Sequence, residues 1–257
     1  MRKLLIAVIA LGLAFGMNAS AFAVGIPFCP PPASPNAPVT FACVNVNGQI
    51  FSAPITPAAK GSSAELHVLR PGNFKIDLTV FLNPDPAITY AFTVGNFTPS
   101  PLPFSLIFGT PIVPVGSPNQ VRGTLAGSLT DTSGGLDGVT VSPTGSNIAA
   151  YSVSADGGAT LTPMGVDVGL TGSGIGGIGL YFYGPYDSGL QPGPLGNSWN
   201  FLRADLNFLV SVGDFVSLNG SGTIMDPPAV PEPGMLLLLG SGLAVLGISV
   251  RKRLPRS

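Results

Sequence analysis

The sequence is poor in the side chains that carry acid–base chemistry or bind metals. Of its 257 residues, 9% are charged, one is a histidine and two are cysteines. A single histidine excludes zinc sites built from several histidines and leaves one imidazole for a Ser-His-Asp arrangement. No serine of the chain stands in a G-x-S-x-G motif. We therefore expect a protein that is not an enzyme, and we assign it no catalytic residue, no metal and no cofactor.

Carboxylates that could act in pairs are also scarce. Glycosidases use two carboxylates at a set separation, and between residues 24 and 229 the one glutamate is Glu65. Aspartates could substitute, so the alternative function is a secreted hydrolase acting on polysaccharide or ester substrates through Asp residues. Four of the ten aspartates, Asp137, Asp156, Asp187 and Asp214, stand beside Gly or Ser, where a turn role is the simpler account. The oxygen-rich segment 131–138 leaves a structural calcium ion as an open alternative, although it lacks EF-hand spacing.

The net charge of −1 conceals an acidic middle of the chain. Six of the eleven Lys and Arg residues lie in the two ends, and residues 24–229 carry five basic and eleven acidic side chains. Such a surface repels phosphate backbones, and it has no basic stripe interleaved with aromatics. We expect no nucleic-acid partner.

The N-terminus has the three parts of a signal peptide over residues 1–23. Arg2 and Lys3 precede an apolar stretch, and Ala21-Phe22-Ala23 forms a small-x-small cleavage site. A proline-rich leader follows over residues 24–40, with Cys29 inside it and Cys43 just beyond. In an exported protein two cysteines predict a disulfide, which closes a loop of about 15 residues and stabilises the fold by about 3 kcal/mol.

The C-terminus, residues 227–257, combines a proline motif, an apolar segment and a basic cluster. The motif occupies residues 230–234 and contains Pro231, Glu232 and Pro233. Residues 235–250 carry no charge and would span roughly 24 Å as a helix, a thin transmembrane helix. The basic tail 251–257 begins with a cluster that would hold this end in the cytoplasm: Arg251, Lys252 and Arg253.

In these residues the tail resembles the PEP-CTERM sorting signal, whose Pro-Glu-Pro motif, apolar helix and basic cluster occur in this order. The resemblance implies a Gram-negative host and an exosortase that recognises Pro231, Glu232 and Pro233, with this protein as its substrate. It also implies an inner-membrane anchor before processing and a place at the cell surface or in the extracellular matrix afterwards, in hosts that produce exopolysaccharide. The alternative is a plain C-terminal anchor that follows a proline-rich segment by coincidence.

Residues 41–226 show the alternation and the turn residues of an antiparallel all-β domain. Asn47-Gly48 predicts a hairpin between strands at 41–46 and 49–53, and residues 83–86 predict a turn between strands at 75–82 and 88–94. Further strands are expected at 105–108, 121–129, 139–142, 148–154, 159–161, 165–170, 178–183 and 202–212. The last part, 215–225, is predicted to turn at Asn219-Gly220, and residues 58–69 are predicted to form one short helix. These features favour a β-sandwich, a jelly roll or an open barrel.

A run of aromatic residues near position 190 is the one candidate ligand site inside this domain. Exposed aromatic rings of this kind can stack on sugar rings, and the candidates are Tyr181, Tyr183, Tyr186 and Trp199. The alternative is that alternate members of the run fill the core. The sequence thus predicts an exported, non-enzymatic surface or matrix protein that is adhesive or binds carbohydrate, with extracellular polysaccharide as the candidate partner.

Overall fold

The computed structural model describes residues 39–132, 137–174, 179–196, 198–225 and Ser241. The described residues form two antiparallel sheets of eight strands each, which we call sheet A and sheet B. Sheet A contains β1 (Phe41–Val46), β2 (Gln49–Ser52), β7 (Leu102–Val115), β9 (Thr140–Pro143), β10 (Ala149–Ser154), β11 (Thr162–Pro163), β12 (Gly172–Ser173) and β15 (Trp199–Val210). Sheet B contains β3 (Ile55–Ala58), β4 (Gly61–Arg70), β5 (Phe74–Asn83), β6 (Ala87–Asn96), β8 (Gln120–Asp131), β13 (Gly179–Asp187), β14 (Gln191–Pro192) and β16 (Phe215–Met225).

The two sheets pack face to face, as expected for a β-sandwich. Their inward side chains form one apolar cluster to which both sheets contribute. Aromatic rings make several of the contacts between the sheets: Phe92 of β6 stacks on Phe208 of β15 at 5.4 Å between ring centroids, and Tyr90 lies 5.6 Å from Phe108. Such pairs add specific geometry to the burial of apolar area. The all-β class predicted from the sequence is confirmed in this coarse form.

The hairpin at Asn47-Gly48 forms where the sequence predicts it. Both residues have positive φ, 47° and 86°, which is the conformation that a two-residue type I′ turn requires. Val46 pairs with Gln49 directly across this turn. The second predicted hairpin is present as well, because β5 pairs with β6 from Phe74↔Asn96 to Asn83↔Ala87.

Glycines on the inner side of sheet B make room for two buried tyrosines. A Cβ atom at Gly222 would lie 2.2 Å from Tyr151, and one at Gly220 would lie 2.5 Å from Tyr90. The two hydroxyl groups meet between the sheets at 2.8 Å, so the polar end of each ring has a partner inside the core. Burial raises the pKa of both phenols above the ordinary value of 10.0.

Two predicted elements are wrong. Residues 58–69 form no helix: β3 and β4 pair with each other there, and Ala64, Leu66 and Val68 alternate toward the core. Asn219-Gly220 is not a turn either, because β16 runs unbroken from Phe215 to Met225 between β6 and β8. Pairing on both sides overrides the local turn preference of an Asn-Gly dipeptide.

Several strand bounds also differ from the prediction. The strand expected at 105–108 extends over the 14 residues of β7, while residues 165–170 form no strand and contribute one isolated bridge at Val168. The strand expected at 159–161 lies at Thr162–Pro163 instead. The predicted signal peptide at 1–23, the leader as far as residue 38, the motif at 230–234, the basic tail and all of 235–250 except Ser241 lie outside the described residues.

Candidate functional site

The four aromatic residues singled out in the sequence occupy two different environments. Tyr183 and Trp199 are buried: the Tyr183 hydroxyl donates to the Leu170 carbonyl at 2.6 Å, and the Trp199 indole N–H donates to the Pro194 carbonyl at 3.3 Å. Tyr181 and Tyr186 are half-buried and pack against the core. In this conformation the rings of Tyr183 and Trp199 are closed to a ligand, as expected for residues that fill the core.

The open aromatic ring of this region is Phe182, which belongs to the same aromatic run but is not among the four candidates. Phe182 is 90% exposed, and Leu180, two residues earlier on the same side of β13, is 63% exposed. Both point away from the core because they alternate with Tyr181 and Tyr183. Alternation in the sequence could have separated the two sets, but it does not say which set faces inward.

Phe182 borders an area of hydroxyl groups on the outer side of sheet B. The outward positions of β6, β8 and β16 are occupied mainly by small polar residues that are half-buried or exposed. We call this area the hydroxyl face; it consists of Thr89, Thr93, Thr124, Ser128, Thr130, Ser217, Asn219, Ser221 and Thr223. Hydrogen bonds between hydroxyl groups link neighbouring strands there: Thr93 to Ser217 at 2.8 Å, and Thr124 to Ser221 at 2.9 Å.

The single histidine of the chain lies at the surface of sheet B, without a serine partner among the described residues. His67 Nδ1 is 3.1 Å from Asp77 Oδ1, and Lys75 Nζ is 2.6 Å from Asp77 Oδ2. Hydrogen bonds and charge from Lys75 and His67 lower the pKa of Asp77 against the opposing effect of burial. The arrangement is an exposed ion-pair cluster.

Two aspartates are fully buried where β8 ends and β16 begins. Asp131 and Asp214 are both 0% exposed, and the pairing of Thr130 with Phe215 places them across from each other. Ser211 donates a hydrogen bond to Asp214. Burial raises the pKa of Asp214, and the charges of Asp131 and Asp137 add to the shift. Among the described residues no group of three His, Cys, Asp or Glu side chains is arranged to hold a metal ion.

Other aspartates have local partners. Arg122 binds Asp187 through two hydrogen bonds at the edge of sheet B, and these hold the pKa of Asp187 at about 2. Hydrogen bonds from Ser154 and the Thr160 amide likewise lower the pKa of Asp156 to about 2. Cys43 is buried and disulfide-bonded, whereas its predicted partner Cys29 lies outside the described residues, so the pairing itself stays a prediction.

A family model described as the PEP-CTERM protein-sorting motif matches residues 229–253. The chain carries a PEP-CTERM sorting motif. The match contains the residues predicted to be recognised, Pro231, Glu232 and Pro233, and the basic cluster Arg251, Lys252 and Arg253. The PEP-CTERM motif implies an exported protein with a C-terminal membrane anchor that an exosortase processes.

The other comparisons add little to what the sorting motif shows. No curated protein matches the chain. A solved structure of infectious bursal disease virus Gx strain is similar over 83% of this chain and 72% of its own, with 11% identity and a TM-score of 0.18. That score supports no inference about fold or function. Within the described residues no helix is long and apolar enough to cross a membrane, and the predicted span at 235–250 lies outside them apart from Ser241.

Proposed function

We propose that this PEP-CTERM protein is a non-enzymatic component of the cell surface or extracellular matrix whose β-sandwich acts by binding carbohydrate or another surface. The observation that carries the proposal is the sorting motif at residues 229–253, which implies export and processing by an exosortase. The open hydroxyl face beside Phe182 supports a binding role, because it presents polar groups and an exposed aromatic ring to solvent.

The alternative is a secreted hydrolase that acts through Asp residues. Asp131 and Asp214 are buried across from each other, and the raised pKa of Asp214 would suit a general acid. Both are 0% exposed, however, and a substrate must reach the carboxyl group that protonates it. Turnover of polysaccharide or ester substrates that Asp214→Asn abolishes would establish the alternative.

The sorting half of the proposal is tested in the host with the full chain. Replacing Pro231, Glu232 and Pro233 together with alanine should block processing and leave the unprocessed protein in the inner membrane. The matched control replaces Pro227 and Pro228, which lie in the same proline-rich stretch but outside the matched residues. Fractionation and the size of the protein on a gel give the readout; normal processing of the triple variant would refute a role for the motif.

The binding half is tested with the exported protein purified from the host. We expect it to be retained by at least one carbohydrate on a glycan array and to show no hydrolysis of the same panel. Retention by none of these glycans, or measurable turnover, would contradict the non-enzymatic carbohydrate-binding role.

A further inference from the structure

The hydroxyl face is ordered in rows that cross the strands of sheet B. The pairing aligns Ser128, Ser217 and Thr93 in one row and Thr124, Ser221 and Thr89 in another. Neighbouring strands are about 4.8 Å apart, and the two rows are four residues apart, about 14 Å along the strands. Each hydroxyl group can both donate and accept a hydrogen bond. The face is therefore a regular array of groups that can bind other hydroxyl groups.

Charges are confined to the borders of this array. Arg122 and Asp187 pair with each other at one edge, and Lys75 pairs with Asp77 on β5 at the other. On the outward positions of β6 and β16, no described residue is charged. The cations at the borders are thus already bound to carboxylates, while the middle of the chain has an excess of acidic side chains. On β5, β6, β8, β13 and β16, the described strands under and beside this face, an acidic polymer would find no cation without a carboxylate partner and would meet the excess of acidic side chains, whereas a neutral polymer meets neither obstacle.

Phe182 extends the first row with an apolar surface. It pairs with Ser128 in the ladder between β13 and β8, so its ring stands at the end of the row of Ser128, Ser217 and Thr93. A sugar ring has hydroxyl groups around its rim and C–H groups on its faces. The row offers hydrogen-bond partners for the hydroxyl groups of the rim, and the Phe182 ring offers an apolar surface for one of the faces. The ring is accessible for stacking, because Phe182 is 90% exposed.

A second copy of the chain fits this surface less well. With its flanking strands the face measures about 20 by 20 Å, or about 400 Å², against about 800 Å² per partner in a standard interface. Serine is depleted at protein–protein interfaces, whereas this face is composed mainly of serine and threonine. These observations favour a polymer of hydroxyl-rich units over a protein partner.

We infer that the hydroxyl face binds a neutral polysaccharide that lies flat on β6, β8 and β16, with Phe182 stacked on one of its sugar rings. This inference rests on the proposed carbohydrate-binding function and adds the class of ligand and the surface that binds it.

The test uses the exported full-length protein and pull-down on named polysaccharides: cellulose, β-1,3-glucan and mannan as neutral probes, and alginate as the acidic probe. We expect retention on at least one neutral probe and none on alginate at physiological salt. Phe182→Ala should weaken that retention at least about fivefold, the effect of truncating an aromatic anchor. Ser217→Glu combined with Ser221→Glu should abolish it, because it adds two charges to the centre of the face.

The matched control is Leu195→Ala, which removes another highly exposed apolar side chain, 84% exposed, from a loop outside the hydroxyl face. It should bind like the unmodified protein. Circular dichroism and thermal melting establish that each variant is folded.

The outcomes separate this inference from the proposed function. Binding to alginate alone, or neutral binding that the face variants leave unchanged, overturns the inference and leaves a carbohydrate-binding protein. Self-association that Ser217→Glu abolishes would assign the face to a second copy and also overturns it. Retention on none of the neutral probes overturns the inference; only retention on no glycan of any kind removes the carbohydrate-binding function as well.

Discussion

The outer face of sheet A is largely buried at β1 and β7, whereas the outer face of sheet B is open at β6, β8 and β16. On sheet A the outward side chains of β1 and β7 are largely buried, including Cys43, Asn45, Ser105 and Ile107. On sheet B the outward side chains of β6, β8 and β16 are half-buried or exposed. Both sheets contribute to the apolar core, so the difference lies outside it. An outward Ser or Thr on β6, β8 or β16 is therefore available to a ligand, while an outward polar group on β1 or β7, such as Asn45 or Ser105, is part of the packing.

The largest expected difference in stability is between two single variants, each of which places a glutamate on one outer face. Ser105→Glu puts a charge at a position that is 7% exposed and should reduce the free energy of unfolding by about 3 kcal/mol or more. Ser217→Glu puts the same charge on the hydroxyl face and should change it by less than about 0.5 kcal/mol. Urea unfolding followed by the fluorescence of Trp199, the single tryptophan, measures both. Equal losses would show that the outer faces do not differ.

The inner side of sheet B should tolerate an added methyl group poorly. Gly222→Ala would push a Cβ to within 2.2 Å of the Tyr151 ring and should reduce the free energy of unfolding by about 2 kcal/mol through overpacking. Gly116→Ala is the matched control, since no atom lies within 4 Å of its added Cβ. Urea unfolding measures both variants. An unchanged free energy of unfolding for Gly222→Ala would mean that Tyr151 has room to move.

Local patterns in the sequence were sufficient for elements with strong local signals. Asn47-Gly48 predicts its own hairpin because few other residue pairs adopt two positive φ angles, and the alternation from Leu202 to Val210 predicts the buried side of β15. The turn predicted at Asn219-Gly220 is wrong because the role of Gly220 is set by its contact with Tyr90, 130 positions earlier. No local pattern in the sequence shows that contact. The helix expected at 58–69 failed for a related reason: its good helix formers are held in a strand by pairing with β5.

The candidate site was predictable only in part. The sorting motif is a contiguous stretch, and the family match confirms it. The hydroxyl face depends on the register that aligns Ser217 with Ser128 and Thr93, residues far apart in the chain. The sequence shows alternating Ser and Thr residues in β16, but it does not show that three strands place them side by side.

The pH dependence of stability should report the burial of Asp214, where β8 ends and β16 begins. Because the pKa of Asp214 is raised in the folded protein, folding favours its protonated form. The contribution of Asp214 to the free energy of unfolding should therefore fall as pH rises above the ordinary value of 3.8 and through the raised pKa, then level off. Asp214→Asn should remove this decline and be more stable than the unmodified protein at neutral pH.

Urea unfolding of both proteins from acidic to neutral pH measures this difference. Asp156→Asn is a suitable comparison, because the pKa of Asp156 is lowered to about 2 and the sign of its contribution is opposite. A curve for Asp214→Asn parallel to that of the unmodified protein would show that Asp214 is not destabilised by burial.

The smallest expected effect concerns the hydrogen bonds within the hydroxyl face. In a double-mutant cycle of Thr93→Val and Ser217→Ala, the coupling energy should be below about 0.5 kcal/mol, because water can replace either partner at this open surface. The cycle of Tyr90→Phe and Tyr151→Phe should give about 1 kcal/mol or more, since their bond is sealed between the sheets. Weakly coupled hydroxyl groups can turn toward a ligand at little cost. A strong coupling between Thr93 and Ser217 would mean that the hydroxyl groups are committed to each other, and the inference of a polysaccharide surface would lose its physical basis.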